Sequence, residues 1–269
     1  MTTTTGFSNV DDSARARELV DYLGVLADRL AGVRRAGYEL LRLKQGASVL
    51  DVGCGAGEVC VELATRVGPQ GRVAGIDPSD TMIAAARQAA KSSRPPIELA
   101  VASIYSLPFP DATFDAVRAE RVFQHLDDPE AGLTEMLRVT RAGGRVMAID
   151  PDHGQHGLAI DEPGHRRVYE ASTRALLRMI VNPHSGTRLR SMFVRAGLIE
   201  IEQAIYDVEI THSDFVHAVF LHDRLGMAVN AGEITREEAD GFVAALEARH
   251  RDGTFFANAF GYNVAGTKM

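Results

Sequence analysis

The fold is decided by residues 49–59, which read VLDVGCGAGEV. An apolar, β-branched run enters this stretch, and three glycines at alternate positions lead into a helical pattern that begins near Glu58. Glycine tolerates the backbone conformations of a tight turn and lets the backbone approach a ligand closely. The amides at the start of the following helix attract negatively charged groups. Residues 49–59 therefore predict a strand, a ligand-binding turn and a helix, in that order.

Short apolar runs alternate with helical patterns beyond this stretch. We predict strands at residues 47–52, 72–77, 97–102, 113–119 and 145–150, and two later strands at 199–210 and within 255–268. Helical stretches follow the first, second and fourth runs, and turn residues such as glycine and proline mark their ends. This alternation predicts an α/β fold, in which parallel strands are joined by helices that cover the sheet.

Two further segments are predicted to be helical. Residues 1–45 carry apolar side chains three or four positions apart, which is typical of an amphipathic helical cap. The core domain then covers residues 46–269. Within it, residues 211–254 form a helical insertion that resembles a lid, and Thr235 and Glu238 open one of its helices as a capping box.

The composition limits the classes of function. The chain has 269 residues, of which 45% are hydrophobic and 24% charged, as in an ordinary soluble domain. A net charge of −7 would repel a phosphate backbone, so we expect no nucleic-acid partner. No apolar run is long enough to span a membrane, and residues 1–6 lack a signal-peptide pattern. With Cys54 and Cys60 as its two cysteines, the chain is expected in the cytoplasm.

Acidic residues indicate what the glycine turn binds. Asp51 stands where dinucleotide-binding turns have an apolar residue, and Glu58 takes the place of the third glycine of their GxGxxG motif. Glu58 would repel a pyrophosphate, whereas an acid in the turn suits an ammonium group. Asp77 ends the second strand, where a carboxylate can accept both hydroxyls of a ribose. S-adenosylmethionine is an amino acid joined to a nucleoside. Its ammonium group suits the acid in the glycine turn, and its ribose suits Asp77.

With these residues the sequence resembles the class I S-adenosylmethionine-dependent methyltransferases that act on small molecules, from about Val49 to Asp150. The resemblance implies a doubly wound, Rossmann-like sheet of seven strands, mostly parallel with an antiparallel last strand, and S-adenosyl-L-methionine as cofactor. It further implies that the methionine part is held by Asp51, Gly53, Gly55 and Gly57, the ribose by Asp77, and the adenine by Pro78, Met82, Ser103 and Ile104.

Two of the cofactor positions keep an alternative role. Ser103 occupies the position where the family usually has an acid that accepts the adenine amino group, and its hydroxyl makes a weaker contact. A serine beside a strand end can also be a turn former. Glu120 is predicted either to approach the sulfonium side of the cofactor or to cap a turn.

Candidate catalytic residues follow the fourth and fifth strands. Alignment of nucleophile, methyl carbon and sulfur supplies much of the acceleration, and a base helps only when the acceptor must lose a proton. The ligand crevice of such a sheet opens at the carboxyl ends of its strands. His125 is therefore a candidate base with Asp150 as its partner, and His153 is the rival base. Each histidine could instead be an ordinary packed or solvated residue. The other histidines are scattered, and we expect no metal site.

The first hypothesis is a cytoplasmic methyltransferase that moves a methyl group to oxygen, nitrogen or carbon of a small organic acceptor, such as a natural-product intermediate, as a monomer or homodimer. Three alternatives stay open. The enzyme could use the sulfonium to assist a cyclisation or decarboxylation without transfer. It could be a redox enzyme of the dinucleotide-binding type, or a sensor that binds S-adenosylmethionine without turnover. Formation of S-adenosylhomocysteine distinguishes transfer from the others.

Overall fold

The computed structural model of the chain describes Asp11, residues 31–218 and residues 220–269. The strands are β1 (Ser48–Val52), β2 (Arg72–Asp77), β3 (Ile97–Val101), β4 (Phe114–Glu120), β5 (Thr140–Leu158), β6 (Ile199–Ile210) and β7 (Ala257–Thr267). The α-helices are α1 (Ala31–Leu41), α2 (Glu58–Val67), α3 (Asp80–Ala89), α4 (Pro129–Val139), α5 (Pro163–Met179), α6 (Ser185–Arg195), α7 (Leu221–Asn230) and α8 (Arg236–Arg251). Short helical turns occur at Ala90–Ser92, Phe123–His125 and Asp214–Ala218.

The strands form one seven-stranded sheet in the order β3-β2-β1-β4-β5-β7-β6. Strands β1 to β5 pair in parallel, and β7 lies antiparallel between β5 and β6. The chain builds the sheet outward from β1 in one direction and then from β4 in the other. Ligands bind at such a reversal of strand order, beyond the carboxyl ends of the strands. The predicted sheet, mostly parallel with an antiparallel last strand, is confirmed.

The central strands are buried on both faces. Every residue of β1 is buried. The consecutive residues Val49 and Leu50 of this strand belong to different apolar clusters. Successive side chains of a strand point to opposite faces, so one strand contributes to two cores. This double burial explains why these strands are continuous apolar runs in the sequence, without alternating polar residues.

Helix starts follow the local capping chemistry. The Asp128 side chain accepts from a backbone amide at the start of α4, and Thr235 with Glu238 forms the predicted capping box of α8. At α3 the N-cap is Ser79, whereas Asp80 is the first helical residue. A serine hydroxyl at the N-cap satisfies one of the free amides of the first turn.

Strand β5 is longer than predicted. It continues past Asp150 to Leu158 because its extension pairs with β7, first through Pro151 and again from His156 after an irregularity in the register. The turn-forming residues of this stretch predicted a loop, and the neighbouring strand overrides that local preference. The irregularity places residues 152–155 outside the ladder, just beyond the carboxyl edge of the parallel sheet.

The helices between β6 and β7, where the sequence predicts an insertion at 211–254, have an apolar cluster of their own. Helix α5, which lies outside the predicted insertion, contributes to the same cluster as α7 and α8, so this cluster is larger than expected. The cluster includes Val168, Ala171, Phe215, Leu221, Leu225, Phe242 and Leu246. Of the N-terminal cap, residues 31–41 form α1; the rest, apart from Asp11, lies outside the described residues. None of the helices in the described ranges has the length and apolar character needed to cross a bilayer.

Candidate active site

A cavity of about 370 Å³ opens at the carboxyl ends of β1 and β4. It is enclosed by the turn between β1 and α2, the end of β2, and the segments that follow β3 and β4. Pockets for small ligands commonly have volumes of roughly 300–1,000 Å³. The structure brings nearly all predicted cofactor residues to this cavity: Asp51, Gly53, Gly55, Asp77, Pro78, Met82, Ser103, Ile104 and Glu120.

Two glycines shape the turn between β1 and α2 for different reasons. Both have left-handed backbones, with φ of 70° at Gly53 and 89° at Gly57. A Cβ on Gly53 would lie 2.4 Å from a methyl carbon of Val122, which lines the cavity. A Cβ on Gly57 would lie 2.8 Å from the Cβ of Ala86 in α3. Gly57 therefore allows α2 and α3 to pack closely and does not line the cavity, contrary to its predicted role.

Asp77 is fixed where β2 ends. Its Oδ2 accepts the amide of Gly55 and its Oδ1 accepts the amide of Ser79, each at 3.0 Å. Burial raises the pKa of the Asp77 carboxyl, although both amides oppose this effect. Each carboxylate oxygen can accept more than one hydrogen bond. Asp77 therefore joins the glycine turn to the corner after β2 and can still accept from a ligand.

Asp11 contributes a second carboxylate beside this corner. Its Oδ1 accepts from the Ser79 hydroxyl at 2.7 Å and the Thr81 amide at 3.1 Å, and its Oδ2 accepts the Asp80 amide at 2.9 Å. The hydrogen bonds from Ser79 and Thr81 lower the pKa of Asp11 to about 2. The first turn of α3 thus binds a carboxylate of the protein itself, which is the charge a helix N-terminus favours.

The adenine-side residues combine apolar contact with a turn. Met82 and Ile104 are buried side chains that line the cavity, and Pro78 lines it from the corner after β2. The Ser103 hydroxyl oxygen accepts the amide of Tyr105 at 3.2 Å. Ser103 therefore has the turn-forming role that the sequence left open, and it also lines the cavity.

A buried ion network lies at the floor of the cavity. Arg118 of β4 donates to Asp51 Oδ1 at 2.9 Å and to Glu120 Oε2 at 2.5 Å. Arg34 of α1 donates through Nε to both Glu120 oxygens, at 3.1 and 3.2 Å. Burial opposes ionisation of Glu120, but Arg118 and Arg34 outweigh it and lower its pKa. Burial raises the pKa of Asp51 to about 6, although Arg118 opposes this effect.

The sequence predicted that Asp51 faces the cofactor and that Glu120 either faces it or caps a turn. It missed the arginines that bind these two acids. A signal existed for Arg118, because an arginine between the apolar residues Val117 and Ala119 of a central strand requires a buried acid. No comparable signal existed for Arg34, since only folding brings α1 to the cavity. Arg121, which also lines the cavity, was likewise missed.

The segment after β4 forms another wall of the cavity. His125 lines it from the helical turn Phe123–His125. Burial lowers the pKa of His125 to about 4, and Arg121 adds to this effect. The imidazole is therefore neutral at pH 7.

Asp150 and His153 do not line this cavity. Asp150 is 0% exposed, and neither carboxylate oxygen receives a hydrogen bond from the described residues. Burial raises the pKa of Asp150 to about 7, with Ser185 and Arg121 opposing. The predicted pairing of Asp150 with His125 is thus wrong, because the Asp150 carboxyl is fully buried and does not line the cavity that His125 lines. His153 Nε2 lies 2.6 Å from Gln124 Oε1, and burial lowers the pKa of His153 to about 3.

A different histidine has the carboxylate partner expected for a base. His184 Nδ1 lies 2.9 Å from Oδ1 of the buried Asp152, whose Oδ2 accepts from the Thr187 hydroxyl. Burial opposes ionisation of Asp152, but the hydrogen bonds from Thr187 and His184 outweigh it and lower its pKa. The His184 side chain is 41% exposed and does not line the cavity. Sequence reasoning missed this pair because its members lie on β5 and before α6.

Comparison with known sequences gives consistent matches. A family model described as a methyltransferase domain matches residues 50–148. An uncharacterized 37.1 kDa protein encoded in a transposon of Streptomyces fradiae is 34% identical over 246 residues, which cover 88% of this chain and 68% of that protein. A demethylmenaquinone methyltransferase of Desulfitobacterium hafniense is 35% identical over 121 residues, or 44% of this chain. The match spans 48% of the length of that enzyme.

Solved structures agree on the fold. Phosphoethanolamine N-methyltransferase 2 of Haemonchus contortus, in complex with S-adenosyl-L-methionine, superposes with a TM-score of 0.59 at 16% identity. The superposition covers 98% of this chain and 60% of that one. Fold, glycine turn and sequence matches together define the class: the chain belongs to the class I S-adenosylmethionine-dependent methyltransferases.

Proposed function

We propose that this methyltransferase acts on oxygen, nitrogen or carbon of a small organic acceptor that enters the cavity beside the cofactor. One observation carries the proposal. The glycine turn and Asp77 form one side of a single cavity, and the segment with Arg121 and His125 forms another side. A cofactor bound to the first side would present its reacting end toward the second.

The residues on the first side fit S-adenosylmethionine. Asp77 can accept ribose hydroxyls in addition to its two backbone amides. Met82 and Ile104 offer apolar surface to the adenine. The absence of a side chain at Gly53 leaves backbone accessible to the ligand. When bound, the cofactor supplies a methyl group bonded to a positively charged sulfur, and the resulting thioether is a good leaving group.

We infer that the buried ion network sets the electrostatics at the methionine end. Arg118 and Arg34 keep the pKa of Glu120 low, so a carboxylate lies at the cavity where a cation can be stabilised. Asp51 lines the same floor and is held by Arg118. We propose that Asp51 and Glu120 favour the ammonium and sulfonium groups, and that Arg34 favours the carboxylate.

For an acceptor that must lose a proton, we propose His125 as the base. It is the predicted histidine that lines the cavity, and its low pKa keeps the imidazole unprotonated at pH 7, as a base must be. The same low pKa makes it a weak base, which favours acceptors that are already acidic or that bear a lone pair. His153 then acts by positioning. The contact of His153 with Gln124 supports the turn Phe123–His125 from behind.

The test is direct. Purified protein is incubated with S-adenosylmethionine and pools of small organic acceptors, and S-adenosylhomocysteine and methylated products are measured by mass spectrometry. Methyl transfer to at least one small acceptor is expected. Cofactor binding without S-adenosylhomocysteine formation, together with a cyclised or decarboxylated product, would overturn the proposal.

Two matched variants distinguish transfer that depends on this cavity from nonspecific methyl transfer. Asp77→Ala should lower transfer at cofactor concentrations near the dissociation constant of the wild type. Asp111→Ala removes an exposed carboxylate that does not line the cavity, and it should leave transfer unchanged.

A further inference from the structure

Arg121 lines the cavity and has a backbone conformation that few residues with a side chain adopt. It directly follows β4 and has φ of 59°, in the left-handed region. A residue with a Cβ is held there only when its surroundings fix it. Its amide donates to the Ile149 carbonyl at 2.7 Å, and Gln124 Nε2 donates to its carbonyl at 3.1 Å. The fold therefore holds the direction of this side chain against a local strain.

The guanidinium of Arg121 differs from those of the other arginines on the cavity. Arg34 and Arg118 are ion-paired with Glu120, and Arg118 also with Asp51. Within residues 31–218 and 220–269, and with Asp11, Arg121 forms neither a side-chain hydrogen bond nor an ion pair. Because a guanidinium presents planar donors in a fixed arrangement, it is suited to a planar oxyanion.

No described acid forms an ion pair with Arg121, and the ionised Glu120 beside it in the chain is bound by Arg118 and Arg34. Asp150 lies within its electrostatic reach but is sealed from the cavity and makes no hydrogen bond with it. His125 and His153 are neutral at pH 7, and Arg121 contributes to their lowered pKa values. Asp127, an exposed residue at the cavity, forms no ion pair with Arg121. The positive charge is therefore available to a ligand.

We propose that Arg121 binds a carboxylate of the methyl acceptor, so that the substrates are small organic acids. This inference rests on the proposed function, because it assigns the substrate class of the same cavity. A singly charged carboxylate matches the one guanidinium that is not already ion-paired among the described arginines of the cavity. A dianionic phosphate would need a further cation. The positive sulfonium of the cofactor adds to the attraction of an anionic acceptor.

The experiment uses matched probes. The protein is saturated with S-adenosylhomocysteine, and saturation-transfer NMR measures binding of small monocarboxylic acids, their primary amides and phosphate monoesters of similar size. We expect the acids to bind at least about 10-fold more tightly than their amides, as for one charge-assisted hydrogen-bond pair. Equal binding of acids and amides, including no binding of either, would overturn the proposal. Preferred binding of phosphates would also overturn it.

Variants assign the preference to Arg121. Arg121→Gln should abolish the preference for acids and leave the affinity for S-adenosylhomocysteine within about 2-fold of wild type. Arg121→Gly gives the same test with a residue suited to the left-handed backbone, so a folding defect can be recognised. Arg188→Gln, at an exposed position of α6, should change neither affinity.

The measured affinities for S-adenosylhomocysteine distinguish a failure of this inference from a failure of the proposed function. If Arg121→Gln weakens S-adenosylhomocysteine binding about 10-fold or more, Arg121 is a cofactor ligand and the acceptor assignment is wrong. If the wild type does not bind S-adenosylhomocysteine, the proposed function fails before the acceptor is tested.

Discussion

Arg118 of β4 and Asp51 of β1 form an ion pair with 2.9 Å between Nη1 and Oδ1, and both side chains are almost completely buried. The pair joins the neighbouring strands β1 and β4, which is where the strand order reverses. It fixes one end of the network that continues through Glu120 to Arg34 on α1. The charged side chains at the floor of the cavity are thus buried from water and stabilise one another by ion pairing.

Removing Arg118 should strongly destabilise the protein. Arg118→Met leaves Asp51 buried without its cation and removes one of the two cations that bind Glu120, which costs about 3–5 kcal/mol of unfolding free energy. Chemical denaturation monitored by circular dichroism measures this loss of unfolding free energy. The control is Arg72→Met, which breaks the exposed ion pair with Glu98 and should cost about 1 kcal/mol or less. Similar small losses for both variants would contradict the role of the buried network.

Replacing Asp77 should weaken cofactor binding. Asp77→Ala removes the acceptor for ribose hydroxyls and releases the amides of Gly55 and Ser79. Calorimetry with S-adenosylhomocysteine should show a loss of about 1–3 kcal/mol. Asp77→Asn keeps one carbonyl acceptor and should lose less. Wild-type affinity in the alanine variant would refute the assignment of this end of the cavity.

A side chain at Gly57 should disturb the packing of α2 on α3. Gly57→Ala combines a left-handed backbone with a Cβ only 2.8 Å from the Cβ of Ala86. Gly232→Ala is a matched control, because its φ of 71° is also left-handed and its Cβ would meet nothing within 4 Å. The control should cost about 1–2 kcal/mol in unfolding free energy. Gly57→Ala should exceed it by about 1–3 kcal/mol; equal losses would show that the contact relaxes freely.

Burial of Asp150 should make stability depend on pH. Its folded pKa of about 7 lies above the usual value of 3.8. The stabilisation linked to its proton is fully present below about pH 4 and is lost as the pH rises through about 7. The unfolding free energy of Asp150→Asn relative to wild type should therefore rise by on the order of 3 kcal/mol between about pH 4 and pH 8. Denaturation at both pH values checks this, with exposed Asp252→Asn as the control. A constant difference would contradict the raised pKa.

Substitution of His125 should affect turnover more than cofactor affinity. If the acceptor must lose a proton, His125→Ala should lower kcat by about 100-fold or more, as expected for loss of a general base. The affinity for S-adenosylhomocysteine should change little. His184→Ala removes a histidine that has a carboxylate partner but does not line the cavity, and it should leave kcat near wild type. The reverse result would assign the base to the pair of His184 and Asp152.

Some of the site could be predicted because it lies within a short stretch of chain. The glycine turn, Asp77 and Met82 occupy consecutive elements, and backbone geometry alone brings them to one edge of the sheet. The bounds of α2 and β2 agree with prediction for the same reason, since capping and strand ends depend on neighbouring residues.

The remaining roles could not be predicted, because they depend on residues distant in the chain. Gly57 contacts α3 and does not line the cavity, and Asp150 is fully buried away from it. Asp152 is paired with His184. A pattern within one element carries no information about these partners.

The sequence by itself determined the order of strands and helices, the ligand-binding turn and the class of cofactor, because periodicity, capping and glycine conformation are local properties. Only the tertiary structure decided which acids are bound by Arg118 and Arg34, which histidine lines the cavity, and that Arg121 has no counter-ion among the described residues. Burial and charge pairing are properties of the assembled sheet and its covering helices, where low solvent access makes each unpaired charge costly.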